Sequence, residues 1–265
     1  MGKPYKNYTI SGKTDGFGCQ FNAKLSGLAF CLNSGGWSCR YRYVHTPFST
    51  VSHGWTEPES VDKLNNFIGI PDNRIGKKIH VRKRFEGKVF NDPNSFYSLD
   101  VLNKIRSYYW STPKPPSSQH EIAVHIRRGD VQIDRGGDRK RRYLPNYWYN
   151  KVIPEVAMKY PSDYRIAIHS EGKMSEFESI LDGWHKDLVD RVTFKLAEDW
   201  VADQENDLMK TYHELVTSKV LVMSKSGLSY TAGILNPNDV FFVKSGARGQ
   251  RVPLNHWIKT TWGGN

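Results

Sequence analysis

Glu121-Ile122-Ala123-Val124-His125-Ile126-Arg127-Arg128-Gly129-Asp130 is a short apolar run that stops at two guanidiniums, a glycine and a carboxylate. It reads as a buried strand with a charged end. In open α/β sheets, ligands bind just beyond the carboxyl ends of the strands. The planar fork of arginine suits phosphate there, because it can hold two oxygens at once. The plain alternative is a strand entering a solvated loop in which Arg128 and Asp130 form a surface ion pair, an arrangement worth little. Alternation along an extended chain sets His125 and Arg127 on one side and Ile126 and Arg128 on the other. One arginine can then face a ligand while the other braces the loop.

Around this stretch the sequence alternates. Apolar runs at Ile122–Ile126, Tyr164–His169, Val192–Leu196, Lys219–Met223 and Val240–Val243 read as strands. Helical patterns over Asn146–Lys159, Lys173–Asp182, Asn206–Thr217 and Leu228–Leu235 separate them, with Asn206 a candidate N-cap. Continuously apolar strands separated by helices predict a parallel sheet covered on both faces. Upstream, a helix is expected from Gln20 to Leu32 and another over Phe96–Trp110, with loop and helix over Trp55–Ile70. Arg40–Val44 and Lys78–Lys83 are the best strand candidates of that part. The run from Ser111 to Ser118, with three prolines and three serines, reads as a linker. It separates an expected α/β domain at 1–112 from a second at 119–265.

The 265 residues carry 38 Lys and Arg against 27 Asp and Glu, a net charge of +11, which favours an anionic partner. No zinc-finger spacing, RNP pattern or basic zipper accompanies that charge, so nucleic acid is not the expected ligand. No apolar run approaches the roughly 20 residues of a membrane helix, and no apolar signal segment follows Met1. Three cysteines without a CxxC pair fit reduced thiols. The expected location is the cytoplasm, of a bacterium or of a virus-infected host cell.

Three further segments carry chemistry. Asp15-Gly16-Phe17-Gly18-Cys19-Gln20 is a glycine pair entering a helix, where backbone N–H groups can face an anion or a hydroxyl, although such pairs also form ordinary turns. Ile168-His169-Ser170-Glu171-Gly172 is a strand running into a polar turn, and its carboxylate can accept hydrogen bonds from ribose hydroxyls or a base edge. Ser224-Lys225-Ser226-Gly227-Leu228-Ser229-Tyr230 is a Ser/Gly turn opening a helix, suited to a diphosphate without being a Walker loop. The sequence has neither a DxD triplet nor HExxH, and Asp203, Glu205 and Asp207 diverge on a helix. No metal and no cofactor are therefore expected, with Lys and Arg neutralising a leaving diphosphate.

Taken in this order, the glycine loop Gly16-Phe17-Gly18-Cys19-Gln20, the H-x-R-R-G-D block His125–Asp130, the Ser170-Glu171 strand end and the turn Ser224–Tyr230 resemble the fucosyltransferase superfamily. The landmarks run from about residue 15 to about residue 236. The resemblance implies a GT-B-like α/β fold of two Rossmann-like halves facing across a cleft, the N-terminal half reduced. It also implies an inverting, metal-independent glycosyltransferase that moves a sugar from a nucleotide sugar to a glycan hydroxyl. The donor is GDP-fucose-like, UDP-xylose or another nucleotide sugar. Arg127 would hold the donor diphosphate. His125, Ser170 and Glu171 would contact the nucleotide, as would Ser226, Gly227, Leu228 and Ser229. Gly16, Phe17, Gly18 and Gln20 would line the other half.

An inverting transfer needs a group to take the acceptor's proton. Asp72, in a Pro-Asp-Asn turn, and Asp15 are the candidate bases, with Arg127 completing the expected catalytic set. His45, His53 and Trp55 are candidate acceptor contacts. Two other readings stay open: a basic nucleic-acid or polyanion binder, and a relative that binds nucleotide sugar without transferring it.

Overall fold

The computed structural model describes residues 5–10, 15–36, 40–48, 57–72, 79–81, 85–117, 119–131, 142–197, 204–244 and 251–261. It is an α/β protein of parallel sheets and helices. The chain divides into two compact units, Met1–Lys114 with Arg251–Asn255 and Pro115–Gln250 with His256–Asn265.

In the first unit, β1 (Tyr5–Thr9) lies between β2 (Arg40–Tyr43) and β3 (Ile79–Val81), all parallel. Between β1 and β2 runs α1 (Phe17–Leu32), buried almost all round, including the polar Gln20, Asn22, Lys24 and Ser26. It sits close to the sheet because residue 27 is glycine. A Cβ there would stand 2.7 Å from Ile10 Cγ2 and 2.8 Å from Tyr43 Cε2. Rings fill the rest of this core: Tyr8 and Phe30 lie 5.1 Å apart, Phe30 and Tyr41 5.4 Å. The helices α2 (Pro58–Ile68), α3 (Phe85–Asn91) and α4 (Leu99–Tyr109) complete the unit. Lys114 ties the start of the proline-rich stretch down, donating to the carbonyls of Phe67 at 2.8 Å and Thr112 at 3.0 Å.

The strands of the second unit are β4 (Ile122–His125), β5 (Ile166–Glu171), β6 (Val192–Ala197), β7 (Val220–Val222), β8 (Asp239–Lys244) and β9 (Ile258–Thr261). Their order in the sheet is β6-β5-β4-β7-β8-β9, every pair parallel. The first strand therefore lies in the middle, and the chain winds outward from it first one way and then the other. This is the doubly wound order of dinucleotide-binding domains. The helices α5 (Asn146–Ala157), α6 (Lys186–Val189), α7 (Gln204–Thr217) and α8 (Gly227–Leu235) connect the strands. The core packs Ile122, Val124, Ile166, Ile168, Val220 and Val222 against Trp148, Val152 and Ile153 of α5.

Two expectations need correction. Helix α7 starts at Gln204, so Asn206 lies inside it and is not its N-cap. The segment Lys173–Asp182 is two 3-10 turns, Met174–Glu176 and Glu178–Ile180. The reason lies on α5: Asn146 Nδ2 donates to Glu176 O at 2.6 Å, and Asn150 Nδ2 to the carbonyls of Ile180 at 2.9 Å and Asp182 at 2.8 Å. Carbonyls that a longer helix would pair internally are held by the neighbouring helix instead.

Beneath the sheet edge that ends in Glu171, a charged group links three elements. Glu214 of α7 accepts from Lys195 Nζ of β6 at 2.7 and 2.8 Å and stands 3.1 Å from His169 Nε2 of β5. Burial pushes the Glu214 carboxyl up, but His169 and Lys195 outweigh it and hold it near 2, against an ordinary 4.5. A carboxylate held below its unfolded value stabilises the fold above about pH 4.5, and that contribution fades as pH falls toward 2. Glu214→Gln should therefore lower stability at neutral pH by about 2 kcal/mol. Its deficit against the unsubstituted protein should shrink on acidification through that window in urea titrations. A deficit independent of pH would contradict the charge assignment.

Candidate functional site

The doubly wound order places one crevice at the carboxyl ends of β4 and β7, where the winding reverses. Two chain segments leave the sheet there. Just below them, His125 Nδ1 and Ser224 Oγ are 2.9 Å apart, both side chains buried. Burial holds the His125 imidazole near 3, with Arg127 and His169 adding to the fall, so the ring is neutral. It stitches two neighbouring strands together where they part.

Past β4 the chain keeps one more turn of register. Ile126 N donates to His169 O at 2.9 Å, and Ser170 Oγ donates to Ile126 O at 2.9 Å. Ser170 thereby gives its hydroxyl proton to backbone and keeps its acceptor lone pairs. Arg127 and Arg128 then diverge. Arg128 is buried: Nη2 donates to Asn146 Oδ1 at 2.6 Å, Nη1 to Arg127 O at 2.9 Å, and its guanidinium lies 4.3 Å from the Tyr143 ring centre. Carbonyl acceptors and an aromatic face suit a guanidinium without a carboxylate. Arg128 is the brace. Arg127 is half-buried and pairs with Asp130, so the ion pair of this loop is Arg127–Asp130 and not Arg128–Asp130.

Gly129 turns the loop with φ +71°, and a Cβ there would overlap Glu171 Oε2. The end of β5 thus packs its carboxylate directly on the arginine loop. Burial raises the Glu171 carboxyl; Arg127 pulls it back and Asp130 adds to the rise. Its Oε2 is buried with no hydrogen-bond partner among the described residues. On the other side of the crevice, Ser226 caps α8, its Oγ accepting from Leu228 N at 3.2 Å. Gly227 and Leu228 are half-buried in the first turn. Ser229 is fully buried, its Oγ donating to Ser224 O at 3.3 Å, so it supports the turn from behind. Lys225, not singled out from the sequence, is half-buried between Ser224 and Ser226, and burial lowers its amine.

The second unit therefore gathers Arg127, Asp130, Glu171, Lys225, Ser226, Gly227 and Leu228 at one sheet end, with His125, Ser170, Ser224 and Ser229 as support. This arrangement can hold a group that is anionic at one end and hydroxylated at the other.

The remaining candidates belong to the first unit. Gly16 is the N-cap of α1, Phe17 is buried with its ring centre 5.3 Å from that of Phe21, and Gly18 is buried in the first turn. Gln20 is buried and donates through Nε2 to Asp15 O at 2.6 Å, which closes the glycine turn from within. Asp15 and Asp72 are exposed. The side chain of His45 hydrogen-bonds that of Asn65. His53 and Trp55 lie outside the described residues. Among the described residues no group of three or more His, Cys, Asp or Glu is placed to hold a metal, and no helix is long and apolar enough to cross a membrane.

No protein-family model matches the sequence, and no curated protein matches it. Similar solved structures include the NodZ alpha-1,6-fucosyltransferase soaked with GDP-fucose, at 11% identity and a TM-score of 0.37, covering 88% of this chain and 93% of that one. Another is the fucosyltransferase NodZ from Bradyrhizobium, at 10% identity and a TM-score of 0.37, covering 88% and 94%. At so low an identity the site rests on its own geometry.

The packing of Gly129 on Glu171 can be measured. Gly129→Ala should destabilise the protein by about 2 kcal/mol or more, combining φ strain with the overlap. In a Glu171→Ala background the same change should cost only about 1 kcal/mol, the strain alone. Strict additivity in chemical denaturation would show that the two residues do not press on each other.

Proposed function

We propose that the protein is a glycosyltransferase that moves a sugar from a nucleoside diphosphate sugar to a glycan hydroxyl, with inversion and without a metal. The observation that carries the reading is the junction of β4 and β7. A half-buried arginine and the N-terminus of α8 flank the reversal point of a doubly wound sheet, and at the end of the neighbouring strand stands Glu171, whose buried Oε2 has no hydrogen-bond partner among the described residues.

In this reading the diphosphate lies between Arg127 and the first turn of α8, where the helix dipole and N–H groups favour negative charge. Glu171 accepts hydrogen bonds from the nucleoside's hydroxyl or amino groups. The acceptor oxygen bonds to the anomeric carbon as the bond from that carbon to the phosphate oxygen breaks. The departing nucleoside diphosphate keeps the electron pair, and Arg127 with Lys225 stabilises its charge. The acceptor's proton goes to a carboxylate, for which Asp72 and Asp15 are the proposed bases. GDP and UDP are both candidate carriers, and fucose and xylose both candidate sugars.

Asp130 competes with phosphate for Arg127, so the two substitutions should act in opposite directions. Arg127→Ala should weaken binding of GDP or UDP at least tenfold and abolish the melting shift at millimolar nucleotide. Asp130→Asn should strengthen binding severalfold. Absence of any shift by either nucleotide with the unsubstituted protein would defeat the proposal. Salt-sensitive binding of RNA or heparin that ignores Arg127→Ala would favour a polyanion binder.

A further inference from the structure

Three charged side chains meet where β4 and β5 end. Arg127 and Asp130, both half-buried, form an ion pair within the loop after β4. Glu171 closes β5, opposite the uncharged Ala197 of β6. A Cβ on Gly129 would overlap Glu171 Oε2, so this oxygen rests on the backbone of the residue before Asp130. Consecutive Cα atoms are only about 3.8 Å apart. The Glu171 carboxyl therefore reaches the loop within one residue of Asp130.

Arg127 and Asp130 satisfy each other, and Glu171 Oε2 is buried with no hydrogen-bond partner among the described residues. A buried ionised oxygen without a donor is costly, and a carboxyl so placed tends to take a proton. Burial accordingly raises the Glu171 carboxyl; Arg127 draws it back and Asp130 raises it further. Other charges on the adjoining elements are engaged elsewhere. Lys195 of β6 and His169, two residues back on β5, both face Glu214. Glu176, beyond Gly172, accepts from Lys173 N at 2.9 Å.

A diphosphate at Arg127 changes this balance. It takes the guanidinium that Asp130 holds, and it brings negative charge of its own. Asp130 then lacks a donor, and Glu171 Oε2 already lacks one. A single proton answers both needs. Placed on Glu171 Oε2, it is donated to the Asp130 carboxylate, while Glu171 Oε1 stays an acceptor for the nucleoside. Two carboxyl groups sharing one site hold one proton between them in this way.

We propose that binding of the nucleotide sugar takes up one proton from solvent, which Glu171 and Asp130 then share. The inference deepens the transferase reading and rests on it for the identity of the ligand. A group whose proton affinity rises on binding favours the complex at low pH. Donor affinity should therefore fall as pH rises, by up to tenfold per pH unit where the bound pair keeps its proton and the free carboxyl has lost it.

Calorimetry with GDP-fucose and UDP-xylose between about pH 5 and about pH 8 tests it. Their diphosphates are esterified at both ends and lack the monoester ionisation near about pH 6, so a proton taken up belongs to the protein. Titrations in two buffers of different ionisation enthalpy count it. The unsubstituted protein should take up close to one proton per nucleotide sugar where its affinity falls most steeply. Glu171→Gln should take up none and bind with an affinity flat in pH. Asp130→Asn leaves Glu171 in place and should also lose the uptake, because the amide supplies the donor that the proton otherwise provides. Its gain in affinity should be larger at the alkaline end of the range than at the acid end. Binding without proton uptake at any pH overturns the proposal and leaves the transferase reading standing, as does uptake that survives either substitution. Binding of neither nucleotide sugar at any pH overturns both.

Discussion

The second unit depends on one constraint: its first strand lies in the middle of its sheet, hydrogen-bonded in parallel to β5 on one side and to β7 on the other. Parallel neighbours need crossover helices, and a chain that crosses over first to one side and then to the other must leave an opening above the strand where it began. The four residues after β4 hang over that opening. Arg127, half-buried and paired with Asp130, is among them. His125 and Ser224 keep the two strands in register at the point where their loops separate. Arg128 fixes the loop to α5 through Asn146.

Most of this unit was legible in the sequence because its central strands β4, β5 and β7 are buried. Short apolar runs such as Ile122-Ala123-Val124 and Val220-Leu221-Val222, rich in β-branched residues, favour strands over helices at that length. The first unit was harder. Its central strand β1 holds Lys6, Asn7 and Thr9, and the last two are buried through polar side chains. Polar residues carry no period-2 signal, so the strand went unseen. Lys173–Asp182 has a helical composition, and its failure to form a helix is decided by two asparagines on α5, a tertiary effect that no local pattern contains.

The candidate site was legible in part and for a physical reason. Turn chemistry marks where a chain leaves a sheet, so His125–Asp130, Ser170-Glu171 and Ser224–Ser229 all sit at strand ends. What each side chain does there depends on burial. His125, Ser170 and Ser229 are buried and bonded to neighbouring strands and turns, whereas Arg127 pairs with Asp130 and Glu171 keeps a buried Oε2 without a hydrogen-bond partner among the described residues.

The central claim is that the reversal point between β4 and β7 holds a nucleoside diphosphate. A crystal structure of the protein grown with millimolar GDP or UDP tests it most directly. The account predicts the diphosphate at the first turn of α8, a phosphate oxygen within about 3 Å of the Arg127 guanidinium, Asp130 released from that pair, and Glu171 facing the nucleoside. A nucleotide bound elsewhere, with Arg127 and Asp130 still paired, would contradict it.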